Sequence, residues 1–180
     1  MQNKQYTATA IALHWLMAAA IIGLFALGFY MADLPLSPTK LKLFSWHKWA
    51  GVTIFLLVFI RLGWRIGHRP PALPDHMAQL EQFVAHAGHA MLYLLMFAIP
   101  LSGWLMSSAK GVQTVYFGQF PIPDLLQKDK ALGDLLETVH WGLNLLLAAT
   151  VLGHAAAALK HHFINRDDVL TRMLPHHGKH

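Results

Sequence analysis

The chain has 180 residues, of which 55% are apolar and only 13% charged, and its mean hydropathy is +0.39, which argues against an ordinary soluble domain and for a membrane protein. Cysteine is absent, which excludes disulfides, thiolate ligands and covalent cofactor attachment through C-x-x-C-H. The net charge of +5 comes from basic residues that lie beside apolar runs. This position is typical of residues that flank membrane spans, and it argues against nucleic-acid binding.

Four apolar segments are long enough to cross a hydrocarbon core about 30 Å thick, which takes about 20 helical residues. In chain order they cover residues 8–32, 46–66, 83–106 and 139–163. The first is too long for a signal peptide and lacks a good cleavage pattern, so we expect it to be a span. In the loop between the third and fourth spans, the segment PDLLQKDKALGDLLE has the leucine spacing of a short helix at the membrane interface. We predict an all-α, four-helix transmembrane bundle that forms one domain over residues 1–180.

The basic residues predict how this bundle is oriented. Four spans put both termini and the second loop on one side, which then carries Lys4, Arg61, Arg65, Arg69, Lys160, Arg166, Arg172 and Lys179. The other side carries Lys40, Lys42, Lys48, Lys110, Lys128 and Lys130. All the arginines belong to the first set, so the positive-inside rule predicts that both termini are cytoplasmic.

Six histidines lie within or beside the spans: His14, His47, His86, His89, His140 and His154. Ionisable groups at membrane depth indicate function, although a single histidine there can simply hydrogen-bond a neighbouring helix. His140 and His154 lie on nearly the same helix face, about 21 Å apart along the axis. One ring is expected near each membrane boundary, with His47 opposite His140 outside and His14 opposite His154 inside.

Two pairs of imidazoles facing each other across an apolar bundle predict the axial ligands of two b haems. Three glycines near these rings would let a flat macrocycle approach the backbone: Gly51, Gly142 and Gly153. Zinc fits less well because no convergent set of four ligands is visible. Methionine is not expected to bind the haem iron, because most methionines fall at packing or lipid-facing positions. His86 and His89 also face the inner level, so the choice of His14 with His154 stays open.

The motifs also resemble a known family, the bacterial cytochrome b561 proteins, which are four-span, di-haem cytochromes of the inner membrane. The resemblance covers essentially the whole chain. It rests on ALHWLM, WHKWAG, AHAGHAMLYLL, IPLSGWLM and the H-x13-H pair followed by HAAAALKHHFINRDDVLTRMLP. It implies that His47 and His140 bind an outer haem iron and that His14 and His154 bind an inner one.

The resemblance implies electron transfer between the outer membrane face and the quinone pool. Some members look like superoxide oxidases, so a superoxide:ubiquinone oxidoreductase is expected. Lys40, Lys42 and Lys48 lie around His47, and a cationic funnel there would steer superoxide to the outer haem. Lys128 and Lys130 lie in the other outer loop. The alternative is that these lysines only extend their charges to the lipid–water interface.

For ubiquinone, the sequence offers a group of candidates on the inner side: His86, His89, His161, His162, Arg61 and Arg65. Quinone reduction needs hydrogen bonds and protons, which histidines near neutral pH can provide. The two arginines could instead pair with haem propionates. KHHF could simply be a polar helix end, and the terminal HHGKH is given no role.

Two other functions are compatible with this pattern. One is a haem b anchor subunit that relays electrons between a partner dehydrogenase or hydrogenase and the quinone pool. The other is a histidine-lined transporter of protons or metal ions, which would contain no pigment.

Overall fold

The computed structural model describes residues 5–74 and 77–175. Within these residues the long helices are α1 (Ala8–Ala32), α2 (Pro38–Gly67), α3 (Gln79–Ala109) and α4 (Lys130–Lys160). A short hairpin, β1 (Val115–Tyr116) with β2 (Phe120–Pro121), lies between α3 and α4. A π-helical turn at His161–Asn165 and a 3-10 turn at Thr171–Met173 follow α4. All four long helices have the length and apolar composition needed to cross a membrane, which confirms the predicted all-α, four-helix fold.

Capping residues explain why three of these helices begin where they do. Thr7, Ser37 and Asp129 each accept a hydrogen bond from a backbone N–H three residues further on, at 3.1–3.2 Å. The predicted interfacial helix in PDLLQKDKALGDLLE is wrong, because its second half forms the first turns of α4, after the Asp129 cap, and its first half is irregular. Lys4, Lys179 and the HHGKH tail lie outside the described residues.

The helices are arranged in a ring in chain order. Packing joins α1 to α2, α2 to α3 and α3 to α4. Contacts between aromatic side chains join α1 to α4. The ring centroids of Phe29 and Trp141 are 4.5 Å apart, and those of His14 and His154 are 6.2 Å apart. We call the end where α1 begins and α4 ends the terminal face, and the end that carries the β-hairpin the hairpin face.

The bundle has a narrow core and a broad apolar exterior. Met17, Ile54 and Val58 are buried at the contact between α1 and α2. By contrast, Leu94 at the middle of α3 and Leu152 in the second half of α4 expose 61% and 72% of their surface. This apolar exterior lies on four helices that are long and apolar enough to cross a membrane, as expected of a bundle surrounded by lipid.

The terminal face is held together by long-range hydrogen bonds to the segments that precede and follow the helices. Trp64 Nε1 donates to Thr7 Oγ1 at 2.9 Å, and Trp15 Nε1 donates to the carbonyl of Met173 at 2.7 Å. Arg172 donates to the carbonyl of Ala72 at 2.6 Å. The chain after α4 therefore folds back beneath α1 and the α2–α3 loop.

The hairpin, which the sequence analysis did not predict, is fastened to α2. Lys48 Nζ donates to the carbonyl of Val112 at 3.0 Å, and Trp49 Nε1 donates to that of Val115 at 2.7 Å. The hairpin tip contains Phe117 and Gly118, which both adopt positive φ angles of 50° and 70°. These contacts cover the part of α2 next to His47.

Candidate functional site

Three imidazoles from three helices meet near the terminal face. The ring centres of His14 and His154 are 6.2 Å apart, and those of His89 and His154 are 5.3 Å apart. The geometry brings together the predicted pair His14 and His154, and adds His89 as a third ring at the same level.

The hydrogen bonds of His89 and His14 determine which nitrogen of each neutral ring carries the proton. His89 Nδ1 is 2.8 Å from the carbonyl of Ala85, so it donates its proton there and Nε2 keeps a free lone pair. Arg61 Nη2 lies 3.0 Å from His14 Nδ1. Because a guanidinium group only donates, His14 Nδ1 is the acceptor in this arrangement and the neutral ring carries its proton on Nε2.

His47 and His140 lie at a second level, toward the hairpin-face ends of α2 and α4. His47 lies against Gly28, where an added Cβ would come within 3.5 Å of His47 Cε1. Within the described residues, His47 Nδ1 is buried and makes no hydrogen bond. This nitrogen is therefore available to a group that is not part of the polypeptide.

The ring of His140 is held by α3. Its Nδ1 lies 2.9 Å from Ser102 Oγ and 3.2 Å from the carbonyl of Ile99. Gly103 makes room for the ring, because an added Cβ there would lie 3.1 Å from His140 Cε1. α3 thus approaches His140 through its backbone.

Within residues 5–74 and 77–175, no group of three or more His, Cys, Asp or Glu side chains is arranged to hold a metal ion by itself. A porphyrin is less demanding, because it supplies four of the six ligands of its iron. Two imidazoles at one level would complete such a set. Positions 51, 142 and 153, the predicted glycines, would meet nothing within 4 Å if they carried a Cβ, so there is open space beside each of them.

The three predicted steering lysines lie at the hairpin face in different environments. Lys40 Nζ donates to the carbonyls of Ala32 at 3.0 Å and Leu34 at 2.5 Å, so it caps the end of α1. Lys48 holds the hairpin, as described above. Lys42 is exposed, with its Nζ 5.0 Å from the ring centre of Trp46. Within the described part of the chain, none of the three forms an ion pair.

The other hairpin-face lysines in the fourth helix and before it are partly neutralised. Lys130 Nζ is 3.0 Å from Asp134, and Lys110 pairs with Glu137. Lys128 lies against Gly111. Among the described residues, carboxylates therefore offset the charges of Lys110 and Lys130 but not those of the lysines near the start of α2.

A cavity of about 670 Å³ opens at the terminal face, between α2, α3 and the loop joining them. Its polar lining comprises Tyr6, Arg65, Gln82, His86, His89 and Tyr93. His86 is exposed, and its Nδ1 donates to the carbonyl of Gln82 at 2.7 Å. Burial raises the pKa of the Tyr6 phenol above its usual value, so this side chain remains a neutral hydrogen-bond donor at neutral pH.

His161 and His162 lie outside that lining. The buried ring of His161 has its Nδ1 2.6 Å from Asp167 and 3.2 Å from Asn165 Nδ2. His162 is half-buried and contacts Phe163, with 4.7 Å between ring centres. Of the predicted quinone candidates, the cavity therefore unites His86, His89 and Arg65, whereas Arg61 contacts His14 and Tyr93.

Comparison with known proteins agrees with this architecture. The family model for prokaryotic cytochrome b561 matches residues 5–176. The chain belongs to the prokaryotic cytochrome b561 family. It is 37% identical over 172 residues to cytochrome b561 homolog 2 of Escherichia coli strain K12, a match that covers 95% of this chain and 92% of the relative.

Two other relatives match over nearly their full length. The probable superoxide oxidase CybB of Yersinia pestis is 29% identical over 187 residues, which cover 96% of this chain and 97% of that protein. Cytochrome b561 homolog 1 of Escherichia coli strain K12 is 26% identical over 173 residues, with 96% and 98% covered. This cytochrome b561 is therefore a bacterial membrane protein of electron transport, from a family that binds haem b.

Sequence reasoning missed several residues that contact the candidate site of this cytochrome b561. Ser102 and Gly103 touch His140, and Tyr6 and Tyr93 line the terminal cavity. Ser102 in IPLSGWLM could have been identified from the sequence, because a serine inside a membrane span usually has a hydrogen-bond partner on a neighbouring helix. Tyr6 precedes the first span and no pattern in the sequence marked it.

Proposed function

We propose that this protein is a di-haem b cytochrome that oxidises superoxide at the periplasmic face of the bacterial inner membrane and reduces ubiquinone at the cytoplasmic face. The observation that carries the proposal is the presence of two histidine levels, separated by about 21 Å along α4. Each level combines one imidazole of α4 with one from α1 or α2.

At the terminal level, His14 and His154 are the proposed ligands of the inner haem iron. Two imidazoles that bind one metal ion at about 2 Å have ring centres about 6 Å apart. The observed separation of 6.2 Å matches that requirement. Binding of the iron through His14 Nε2 would require the proton on Nδ1, which would break the contact with Arg61 and leave this guanidinium to pair with a haem propionate.

At the hairpin level, His47 and His140 are the proposed ligands of the outer haem iron. His140 Nδ1 is engaged by acceptors on α3, which leaves Nε2 for the metal. When bound, haem supplies single-electron transfer at each level, with a potential set by its ligands and surroundings.

The balanced reaction is the one-electron oxidation of two superoxide ions to two dioxygen molecules, coupled to reduction of one ubiquinone by two electrons and two protons. Lys42 and the neighbouring lysines attract the anionic donor to the hairpin face. The terminal cavity supports the quinone headgroup, because the Tyr6 phenol can donate a hydrogen bond to a quinone carbonyl and the exposed His86 can relay protons from water.

The proposed orientation puts the terminal face in the cytoplasm. Arg61 and Arg65 lie near the end of α2, and Arg166 and Arg172 follow α4, so arginines concentrate at that face. The positive-inside rule then makes the hairpin face periplasmic.

A visible spectrum of the purified protein tests the cofactor assignment. We expect a Soret band, sharp α and β bands on reduction, and about two haems per chain by pyridine haemochrome. A colourless preparation would contradict the proposal and favour the transporter. A stoichiometric partner that reduces the haem, when superoxide does not, would favour the anchor-subunit alternative.

Lys42→Glu tests superoxide steering without removing the contacts that Lys40 and Lys48 make. We expect the rate of haem reduction by a superoxide pulse to fall several-fold, and its dependence on salt to weaken. Arg69→Glu is the matched control, because it makes the same charge change near the opposite face. Equal rates in the two variants would exclude steering by Lys42.

The same assay in oriented vesicles tests the topology. Superoxide is a charged species that crosses lipid poorly. We expect external superoxide to reduce the haem in right-side-out vesicles and not in inverted ones. The reverse result would place the hairpin face in the cytoplasm.

A further inference from the structure

The third helix carries none of the four proposed iron ligands, yet it makes the hydrogen bonds to His140. We infer that Ser102 is a positioning residue that fixes the proton of His140 on Nδ1 and thereby presents Nε2 to the outer haem iron. This inference rests on the proposed haem site at His47 and His140.

Three short contacts form a closed triangle around Ser102, which exposes only 6% of its surface. Ser102 Oγ donates to the carbonyl of Ile99 at 2.8 Å. The same oxygen lies 2.9 Å from His140 Nδ1, and that nitrogen lies 3.2 Å from the Ile99 carbonyl. A buried hydroxyl with this geometry has no freedom to turn toward water.

The triangle can be satisfied by one arrangement of protons. The Ile99 carbonyl only accepts, so His140 Nδ1 must carry a proton to make a favourable contact with it. Ser102 gives its own proton to the same carbonyl and accepts the Nδ1 proton with a lone pair. The neutral ring then has an unprotonated Nε2, the form that binds a metal.

The backbone of α3 makes this contact possible. At Gly103 an added Cβ would lie 3.1 Å from Cε1 and 3.4 Å from Nδ1 of His140, so a larger residue would push the helix and the ring apart. On the other side of the level, His47 Nδ1 has no hydrogen-bond partner within the described residues. His140 is therefore the ring whose orientation is fixed by hydrogen bonds.

The consequence is a specific effect on one haem. Acceptors on the Nδ1 proton make an imidazole a stronger donor to its metal, which favours oxidised iron and lowers its reduction potential. Removing Ser102 Oγ leaves the weaker Ile99 contact alone. The potential of the outer haem should rise, whereas that of the inner haem, whose proposed ligands His14 and His154 do not contact Ser102, should stay unchanged.

The test compares Ser102→Ala, Ser102→Val and Ser102→Thr in the full-length, haem-loaded protein. Thr keeps the hydroxyl and Val has the same shape without it. The matched control is Ser108→Ala, since Ser108 is also buried on α3 but donates to the carbonyl of Trp104 and accepts from the N–H of Leu125. The readouts are haem content, a spectroscopic redox titration that resolves two midpoints, and the low-spin resonance signals of the ferric protein.

We expect Ala and Val to raise one midpoint and alter one low-spin signal, and Thr and the Ser108 control to match the wild type. Unchanged midpoints and signals in Ser102→Ala would overturn the inference, as would equal shifts in Thr and Val, or in Ser108→Ala. Fewer than two haems in the wild type would instead contradict the proposed function. Two wild-type haems with no effect of Ser102→Ala would contradict only the role of this serine.

Discussion

His154→Ala is expected to lose one of the two haems, so that the haem content per chain falls by about half. Without His154, the proposed inner site keeps His14 as its one iron ligand, and a single imidazole does not complete the pair that holds the haem. The outer level lies about 21 Å away along α4 and shares no ligand with it, so its haem should remain. Pyridine haemochrome assay and the low-spin resonance spectrum measure both effects.

Two further variants, His14→Ala and His89→Ala, test which imidazole binds the inner haem iron together with His154. We expect His14→Ala to reproduce the loss and His89→Ala to retain both haems, because the His14–His154 separation fits two ligands of one iron. If His89→Ala loses a haem while His14→Ala keeps both, the proposed pairing is wrong and His89 is the ligand. Retention of both haems in His154→Ala would contradict the inner haem site altogether.

The number and type of the long helices were predictable, because apolar runs of span length have few alternatives in water or lipid. The extent of the helices was not. The prolines and lysines around residue 38 are typical of a loop between spans. α2 nevertheless begins at Pro38, because Ser37 caps the helix and proline is acceptable in its first turn. Hydropathy identifies the part of a helix that lies in lipid, and the polar turns beyond it are set by capping.

The β-hairpin shows a second limit of pattern reading. Its strands have two residues each, too short to show alternation. It is stabilised mainly by contacts with α2, such as Trp49 Nε1 to the Val115 carbonyl and the 2.9 Å hydrogen bond between Thr53 and Tyr116. A structure that depends on distant partners leaves little trace in its own residues.

For the site, helical spacing gave the depth of each histidine, and depth gave the pairs. Spacing along one helix carries no information about contacts between helices, so the bond from Arg61 to His14 and the triangle of Ser102, Ile99 and His140 were not predictable. Proximity to histidines in the chain indicates Gly51, Gly142 and Gly153 as the glycines near a macrocycle. Gly103 and Gly28, which contact the rings in space, lie on other helices.

Ala85→Trp is expected to slow reduction of ubiquinone by the pre-reduced protein about ten-fold, the effect of losing about 1.4 kcal/mol of binding. Ala85 lines the terminal cavity, and an indole there would occupy the space proposed for the quinone headgroup. Haem reduction by superoxide occurs at the other face and should keep its rate. Stopped-flow measurement of haem oxidation by a short-chain quinone reports the first rate, and a superoxide pulse reports the second.

Ala87→Trp is the matched control, since Ala87 is an exposed α3 residue two positions away that does not line the cavity. His162→Phe examines the competing location after α4, where His161 is already bonded to Asp167. If the quinone occupies the cavity, only Ala85→Trp slows electron exit. If His162→Phe slows exit and Ala85→Trp does not, the quinone site lies beside His161 and His162, and the cavity serves another purpose. Equal slowing by Ala85→Trp and Ala87→Trp would mean that the bulk of the indole disturbs α3 itself, and it would exclude a specific role for the cavity.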